Sequence, residues 1–209
     1  EPTAESAQIL FPNPADRAVY LAQSALILET VQRSEPAGKL MAHALELAPE
    51  NPQVLLLSAS FASANGRWSA ARDAAKKVLE LTPSSAPASY ILALAMFESG
   101  AVSKAADEIS YLAARYPNDS QILRLQARIA SANNDPATEV AALEKLLSLA
   151  QKQKQPTQNL RVLLGQAWAK QGFPVQAMEN YQAALEANPP PEVKKQIEEA
   201  IATIRQRTR

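Results

Sequence analysis

The chain has 209 residues, among them 41 alanines, five glycines and no cysteine, and its 21 basic side chains balance 21 acidic ones. Alanine has the highest helix propensity and lets a second helix approach closely, so this composition favours packed helices over a sheet. The zero net charge argues against a general nucleic-acid binder. The lack of cysteine excludes disulfides, thiolate nucleophiles and cysteine-ligated zinc sites.

The N-terminal residues precede the first predicted helix. Residues 1–12 are interpreted as a linker or as a fragment of preceding structure, because Asn13 and Pro14 are typical of a helix start. No apolar run approaches the roughly 20 residues that cross a bilayer, so we expect no membrane span in this segment. The chain begins with Glu1 rather than Met, and a removed signal peptide or membrane anchor stays an open alternative.

Residues of similar type recur every 34 positions from the first helix onward. Prolines close a helical segment, small residues recur inside each helix, and residues that tolerate left-handed φ mark the turns. The four series are Pro49, Pro83 and Pro117; Ala25, Ala59, Ala93 and Ala127; Ala37, Ala71 and Ala105; and Gly66, Gly100 and Asn134. We interpret each period as two helices joined by a turn.

The register of the repeat shifts once, by four residues. The interval from Pro117 to Pro189 and the interval from Gly100 to Gly172 are both 72 residues, which is twice 34 plus 4. We place the insertion in the polar stretch 151–156, as a lengthened loop between repeats. An insertion there costs little, because the entropy of closing a loop grows slowly with its length.

The last unit before the C-terminal segment carries a seven-residue motif: Leu164, Gly165, Trp168, Ala177, Tyr181, Ala184 and Pro189. This pattern resembles the tetratricopeptide repeat, and the resemblance covers roughly residues 15 to 189. The first unit has no glycine at its internal turn. The fourth departs most, with Glu139 in the alanine series and Gln151 in place of the closing proline.

The resemblance implies an all-α fold, a right-handed solenoid of about five helix-turn-helix repeats. Val193, Ile197, Ile201 and Ile204 lie on one stripe of a final segment, as a C-terminal capping helix requires. The predicted organisation is a linker at 1–12, repeats at 13–49, 50–83, 84–117, 118–156 and 157–189, and a capping helix at 190–209.

The small residues of both helical series are expected where paired helices cross, since a leucine there would overpack the crossing by about 1–3 kcal/mol. Glu139 is inconsistent with this series. A carboxylate in such a place needs a cationic partner or an open edge. We therefore predict that Glu139 lies near Arg124 or Arg128.

In the resembling family, the first helices of successive repeats line a concave groove that binds peptides or partner helices. Carried over position by position, the resemblance implies ten groove residues: Leu56, Ser60, Tyr90, Leu94, Phe97, Arg124, Arg128, Asn159, Gln166 and Lys170. An aromatic patch beside two arginines one helical turn apart suits a peptide with an apolar side chain and a carboxylate. The clamp with which one subgroup holds a chaperone's C-terminal carboxylate is not reproduced.

A structural interpretation of the same residues stays open. Tyr90 and Phe97 can be ordinary packing residues, and the two arginines can be solvated or paired with Glu139. Catalysis, a metal site and a cofactor are not predicted, because His43 is the only histidine and the glycines form no phosphate-binding loop. Nucleic acid is not an expected partner, because only the fourth repeat presents a basic groove.

We therefore expect a non-catalytic scaffold or adaptor that binds a partner protein or peptide. Alanine-rich, cysteine-free repeats have a bacterial character and favour a periplasmic or cell-envelope assembly, biogenesis or secretion system, with the cytoplasm as second choice. Two alternatives remain. One is a substrate-recruiting domain of a larger enzyme or exporter, and the other is a self-assembling structural module that forms homo-oligomers.

Overall fold

The computed structural model describes residue 7 and residues 10–207. From Pro14 onward the described chain forms eleven α-helices and no β-strand. In chain order they are α1 (Pro14–Thr30), α2 (Ser34–Leu47), α3 (Pro52–Ala64), α4 (Trp68–Leu81), α5 (Ala86–Glu98), α6 (Val102–Arg115), α7 (Ser120–Ala132), α8 (Pro136–Lys152), α9 (Gln158–Lys170), α10 (Pro174–Glu186) and α11 (Pro191–Arg207). The expected all-α solenoid class is confirmed.

The chain divides into two compact units, residues 1–108 and residues 109–209, and the boundary lies within α6. In the first unit, α1 packs on α2 and α3 packs on α4, while α1 also contacts α3 and α3 contacts α5. In the second unit, α7 packs on α8, α8 on α9, and α9 on α10. Neighbouring helices thus cover one another's apolar stripes, as stacked helical hairpins require.

Side-chain caps fix where the first helix begins in the first four repeats. Asn13 Oδ1 accepts a hydrogen bond from the Ala15 N–H at 2.9 Å, which confirms the predicted start of α1. The next cap, Asn51, lies 38 residues further on, and Ser85 and Asp119 then follow at intervals of 34; each accepts from a backbone N–H of the first turn. Each cap satisfies donors that would otherwise have no partner in the helix.

Every internal turn contains one residue with left-handed φ. Gly66, Gly100, Gly172 and, as expected, Asn134 hold this position, and Gln32 holds it in the first repeat, where no glycine is present. The N–H of the next residue donates to the carbonyl five residues earlier in all five turns, for example at 2.8 Å in the second repeat. This bond ends the first helix in a Schellman motif.

Gln32→Gly is expected to raise the free energy of unfolding by about 0.5–1 kcal/mol. A non-glycine residue in the left-handed region costs about 1–2 kcal/mol, and the greater freedom of glycine in the unfolded chain offsets part of the gain. Urea denaturation measures the change. Gly66→Ala, the reverse change at the matching turn, is the control and should lower stability, so a loss on Gln32→Gly would contradict the argument.

The four inserted residues lengthen a helix more than a loop. Helix α8 has 17 residues, against 14 in α2, α4 and α6. The connection after α8, residues 153–157, has five residues, against four in residues 48–51. Three inserted residues therefore extend α8 and one extends the loop. The added turn is stable because Leu149 and Ala150 pack into the same apolar cluster as Leu160.

The small residues predicted at helix crossings are buried. No more than 7% of any of the following side chains is exposed: Ala25, Ala37, Ala59, Ala71, Ala93, Ala105, Ala127 and Ala177. The predicted cap is also a helix, because α11 buries Ile197, Ile201 and Ile204 against an apolar cluster that contains Tyr181 of α10.

Candidate functional site

The five groove residues predicted in the first unit lie on α3 and α5 and are half-buried. Leu56 and Tyr90 pack against the same apolar cluster, so both contribute to the packing of α3 with α5. The Ser60 hydroxyl donates to the Leu56 carbonyl at 3.0 Å and is thus used within its own helix. Together with Leu94 and Phe97, these residues form a mainly apolar surface on α3 and α5. Some of them pack the two helices together, in addition to their predicted binding role.

The five groove residues predicted in the second unit are exposed and form two stripes. On α7, Arg124 and Arg128 lie on the same side of the helix as Ser131, at intervals of four and three residues. On α9, Gln166 lies one turn before Lys170, and Asn159 lies seven residues before Gln166. Each helix therefore presents one exposed stripe that is mainly polar.

One contact joins the C-terminal ends of the two stripes. The Lys170 Nζ of α9 donates to the Ser131 Oγ of α7 at 2.9 Å. Behind it, Leu123 of α7 packs in one buried cluster with Leu160 and Leu164 of α9. The two helices thus meet at their C-terminal ends and share a buried cluster to which α8 also contributes. We call the exposed residues between them the α7/α9 face: Arg124, Arg128, Asn159, Leu163 and Gln166.

Leu163 is a member of this face that the sequence analysis missed. Its side chain is 43% exposed, although it lies between Asn159 and Gln166 on the same stripe. At the matching position of the two preceding repeats, Leu125 is 2% exposed and Ile91 is 7% exposed. No signal in the sequence separates Leu163 from these buried residues, because all three are apolar residues at the same point of a first helix.

Glu139 has a cationic partner, as expected, but the structure pairs it with Lys170 instead of the arginines named from the sequence. The carboxylate is 5% exposed, and its Oε2 lies 3.3 Å from the Lys170 Nζ. The neighbouring Gln171 side chain donates to the Pro136 carbonyl at 2.6 Å. The end of α9 is therefore fastened to the start of α8, which gives Lys170 a structural role beside its predicted place in the groove.

Asp135 fixes the start of α8 and hence the position of Glu139. Its side chain accepts a hydrogen bond from the Thr138 N–H at 3.1 Å. Hydrogen bonds from the side chain and backbone of Thr138 hold the pKa of Asp135 below its usual range. The capping carboxylate is thus kept in its charged form, which also interacts favourably with the helix N-terminus.

Metal ligands, membrane spans and clefts are the other kinds of site to consider in the described residues. Within residues 10–207 no three His, Asp or Glu side chains are grouped to hold a metal, and no helix is long and apolar enough to span a membrane. A cleft of about 410 Å³ at the C-terminal end is mostly apolar, with Tyr181 and Thr203 as its polar side chains. His43 is half-buried in α2.

Comparison with known proteins identifies the fold. A sequence model of the tetratricopeptide repeat family matches residues 62–129. YrrB, described as a TPR protein with an unusual peptide-binding site, is 13% identical, with a TM-score of 0.74 over 95% of this chain and 98% of its own. No curated protein matches the sequence.

Two further solved structures show the same architecture. MamA from Desulfovibrio magneticus RS-1, from residue 41 to its end, is 16% identical, with a TM-score of 0.70 over 81% of this chain and 94% of its own. A thermophilic TPR protein of Thermus thermophilus is 18% identical, with a TM-score of 0.59 over 88% of this chain and 99% of its own. At these identities the likeness shows the fold alone.

Proposed function

We propose that this chain, of which residues 62–129 match the tetratricopeptide repeat family, is a non-catalytic adaptor whose α7/α9 face binds a partner peptide, because this fold generally serves protein-protein interaction. The bound segment carries a carboxylate and an aliphatic side chain a few residues apart. The half-buried residues of α3 and α5, among them Leu94 and Phe97, offer a mainly apolar contact area to the same class of partner.

An exposed leucine on an otherwise polar face carries this proposal. Leu163 is 43% exposed, and covering it with an aliphatic side chain would remove apolar area from water. Arg124 can hold a carboxylate through two parallel hydrogen bonds. Asn159 and Gln166 each offer an amide that both donates and accepts, which suits the backbone of an extended peptide. YrrB is described as having a peptide-binding site, and this supports a peptide as the partner.

Selection of random peptides on the purified chain is expected to yield sequences with Asp or Glu near Leu, Ile or Val. Arg124→Ala should weaken the binding of a selected peptide about tenfold or more, because a hydrogen bond to a charged group contributes about 1.5–3 kcal/mol. Leu163→Ser should weaken it by a comparable factor through lost apolar contact. Fluorescence anisotropy with labelled peptide measures both.

Two matched substitutions control this experiment. Lys145→Ala removes an exposed cation from α8, and Val175→Ser removes an exposed apolar side chain from α10. Neither residue lies on the α7/α9 face, so neither change should alter the Kd. Selection of peptides without acidic residues, or equal losses for Arg124→Ala and Lys145→Ala, would contradict the proposed site.

We also propose a bacterial setting in the cell envelope, within an assembly, biogenesis or secretion system. The support is compositional: a chain with 41 alanines, abundant Gln, Asn and Pro, and no cysteine suits a compartment in which a free thiol is a liability. Fractionation of cells that express the full-length protein tests the setting. Recovery in the cytosolic fraction would contradict it.

A further inference from the structure

The cleft of about 410 Å³ in the second unit occupies a corner of the fifth repeat that the fourth repeat also has. One wall of the cleft consists of three residues around the turn between α9 and α10: Ala169, Gly172 and Pro174. The residues at the matching positions around the turn between α7 and α8, 38 positions earlier, are Ser131, Asn134 and Pro136. The two corners can therefore be compared directly.

Two side chains from the end of α9 fill the corner of the fourth repeat. The Lys170 ammonium donates to the Ser131 hydroxyl at 2.9 Å, and the Gln171 amide donates to the Pro136 carbonyl at 2.6 Å. Lys170 also pairs with the buried Glu139 carboxylate at 3.3 Å, which attracts a cation into this corner. The corner thus receives elongated groups, and in the fourth repeat it receives polar ones.

The corner of the fifth repeat stays open and has a different chemistry. Helix α11 lies next to it and brings the short side chains of Ala200 and Thr203 to the cleft. Ala177, which is 0% exposed, takes the place that Glu139 has in the fourth repeat, so no carboxylate attracts a cation here. None of the described residues that line the cleft is charged. The open corner therefore offers an uncharged and mainly apolar surface.

Tyr181 provides a hydrogen-bonding group inside this apolar corner. Its side chain lines the cleft and is 3% exposed. Within residues 10–207 its hydroxyl makes no hydrogen bond, and the oxygen is not sealed off from solvent, so it opens into the cleft. Burial raises the pKa of Tyr181, which keeps the hydroxyl in its neutral, donating form. Because buried polar groups normally have a partner, this donor is available to a bound molecule.

The size and lining of the cleft determine the class of ligand. Pockets for small molecules have volumes of about 300–1,000 Å³ and are mostly apolar with a few polar groups. The Thr203 hydroxyl already donates to the Glu199 carbonyl at 2.9 Å, so it offers only lone pairs, and Tyr181 is the side-chain donor of the lining. A charged group would lose its hydration without gaining an ionic partner.

We propose that this cleft binds a small neutral organic molecule, an apolar ring or chain that carries one hydroxyl or carbonyl oxygen. The oxygen accepts a hydrogen bond from the Tyr181 hydroxyl, and the apolar part packs on Pro174 of α10 and Ala200 of α11. None of the residues of the α7/α9 face lines the cleft. A ligand in the cleft therefore occupies a site of its own, and its binding does not require a peptide on that face.

Three naphthalene compounds test the proposed ligand class. 2-Naphthol is neutral and carries a hydroxyl, naphthalene has no polar group, and 2-naphthoate is charged. Titration of the full chain, followed by backbone amide NMR shifts, should give saturable changes at Gly172 and Thr203 for 2-naphthol. Naphthalene should bind about three- to tenfold more weakly, because it forms no hydrogen bond with Tyr181. 2-Naphthoate should bind more weakly than 2-naphthol because its charge has no partner in the cleft.

Tyr181→Phe removes the donor and keeps the ring. Its affinity for 2-naphthol should fall about three- to tenfold, to the affinity for naphthalene, while naphthalene binding stays unchanged. The urea midpoint of the free chain should not fall, because the hydroxyl has no hydrogen-bond partner among the described residues. Tyr111→Phe changes a tyrosine on α6 that is 61% exposed, and it should leave 2-naphthol binding unaltered.

Filling the cleft provides a test that does not depend on the hydroxyl. Ala200→Phe should abolish the binding of 2-naphthol, because the added ring occupies the space of the ligand. Ala202→Phe is the matched control on an exposed position of α11 outside the lining, and it should bind normally. Shifts confined to residues outside the cleft, equal affinity for 2-naphthol and 2-naphthoate, unaltered binding by Tyr181→Phe, or equal losses for the two alanine variants would overturn the proposal.

Discussion

Lys170→Met is expected to lower the free energy of unfolding by about 2–3 kcal/mol. The change keeps an aliphatic stem of similar length but removes the ammonium that pairs with the buried Glu139 carboxylate. Breaking a fully buried pair by removing one partner costs about 3–5 kcal/mol. The expected loss is smaller here because 48% of the Lys170 side chain is exposed.

Glu139→Ala, in contrast, should not lower the free energy of unfolding. The substitution restores the alanine that Ala37, Ala71 and Ala105 provide at this position, and it removes the buried charge together with its need for a partner. Replacing a buried ion pair by well-packed apolar groups is often neutral or stabilising. We therefore expect a change between zero and a gain of about 1 kcal/mol, since alanine also has the better helix propensity.

Urea denaturation of the two variants separates these outcomes. Lys145→Met removes an exposed lysine from α8 and serves as the control for the loss of a surface cation, which should change stability by less than about 0.5 kcal/mol. The double variant Lys170→Met with Glu139→Ala should recover most of the loss of the first. A larger loss for Glu139→Ala than for Lys170→Met would show that the carboxylate stabilises the repeat and would contradict the argument.

The same pair shows how far the sequence could predict this fold. Glu139 broke an alanine series, and the cost of burying charge then required a cation, which was correct. The identity of that cation depended on where the end of α9 meets α8, and α8 is longer than the other second helices by an added turn. A count of residues located the insertion but not its conformation. The repeat pattern therefore could not predict that Lys170 lies beside Glu139.

Caps, turns and crossing residues could be predicted from the sequence better than the exposure of individual apolar side chains. The Asn13 cap and the turn at Asn134 follow from propensities that act within a few residues, and the alanines at crossings follow from the 34-residue repeat. Gln32 shows the limit, because tertiary packing imposes the left-handed turn on a residue that does not favour it. Leu163 shows another limit. Whether an apolar residue on a helix is covered depends on its neighbouring repeat, which the residue itself does not encode.

A substitution at Gly165 is the second change with a large expected effect on stability, because Gly165 is the one crossing position without a side chain. A Cβ added there would lie 2.6 Å from Cε1 and 2.7 Å from Cδ1 of Tyr181, well inside van der Waals contact. The ring is buried among α10 and α11 residues, and this burial raises the pKa of Tyr181. The four repeats with alanine at the crossing have Met41, Ala75, Ile109 and Leu143 sixteen residues later, where the fifth has Tyr181.

Gly165→Ala is therefore expected to lower the free energy of unfolding by about 1–2 kcal/mol. Overpacking a core costs about 1–3 kcal/mol, and the better helix propensity of alanine returns about 1 kcal/mol of it. In a Tyr181→Leu background the clash is absent, so the same substitution should raise stability by about 0.5–1 kcal/mol. Denaturation of the four proteins of this cycle measures the coupling between the two sites.

The decisive readout is whether Gly165→Ala raises or lowers stability in the Tyr181→Leu background. Leu143 already fills the matching position opposite Ala127 in the fourth repeat, so leucine with alanine is a combination that this chain itself uses. Tyr181→Leu alone should be destabilising, because it leaves Gly165 facing empty space. Adding Gly165→Ala should then recover part of that loss. If Gly165→Ala lowers stability equally in both backgrounds, the glycine is required by the backbone of α9 and not by the ring of Tyr181.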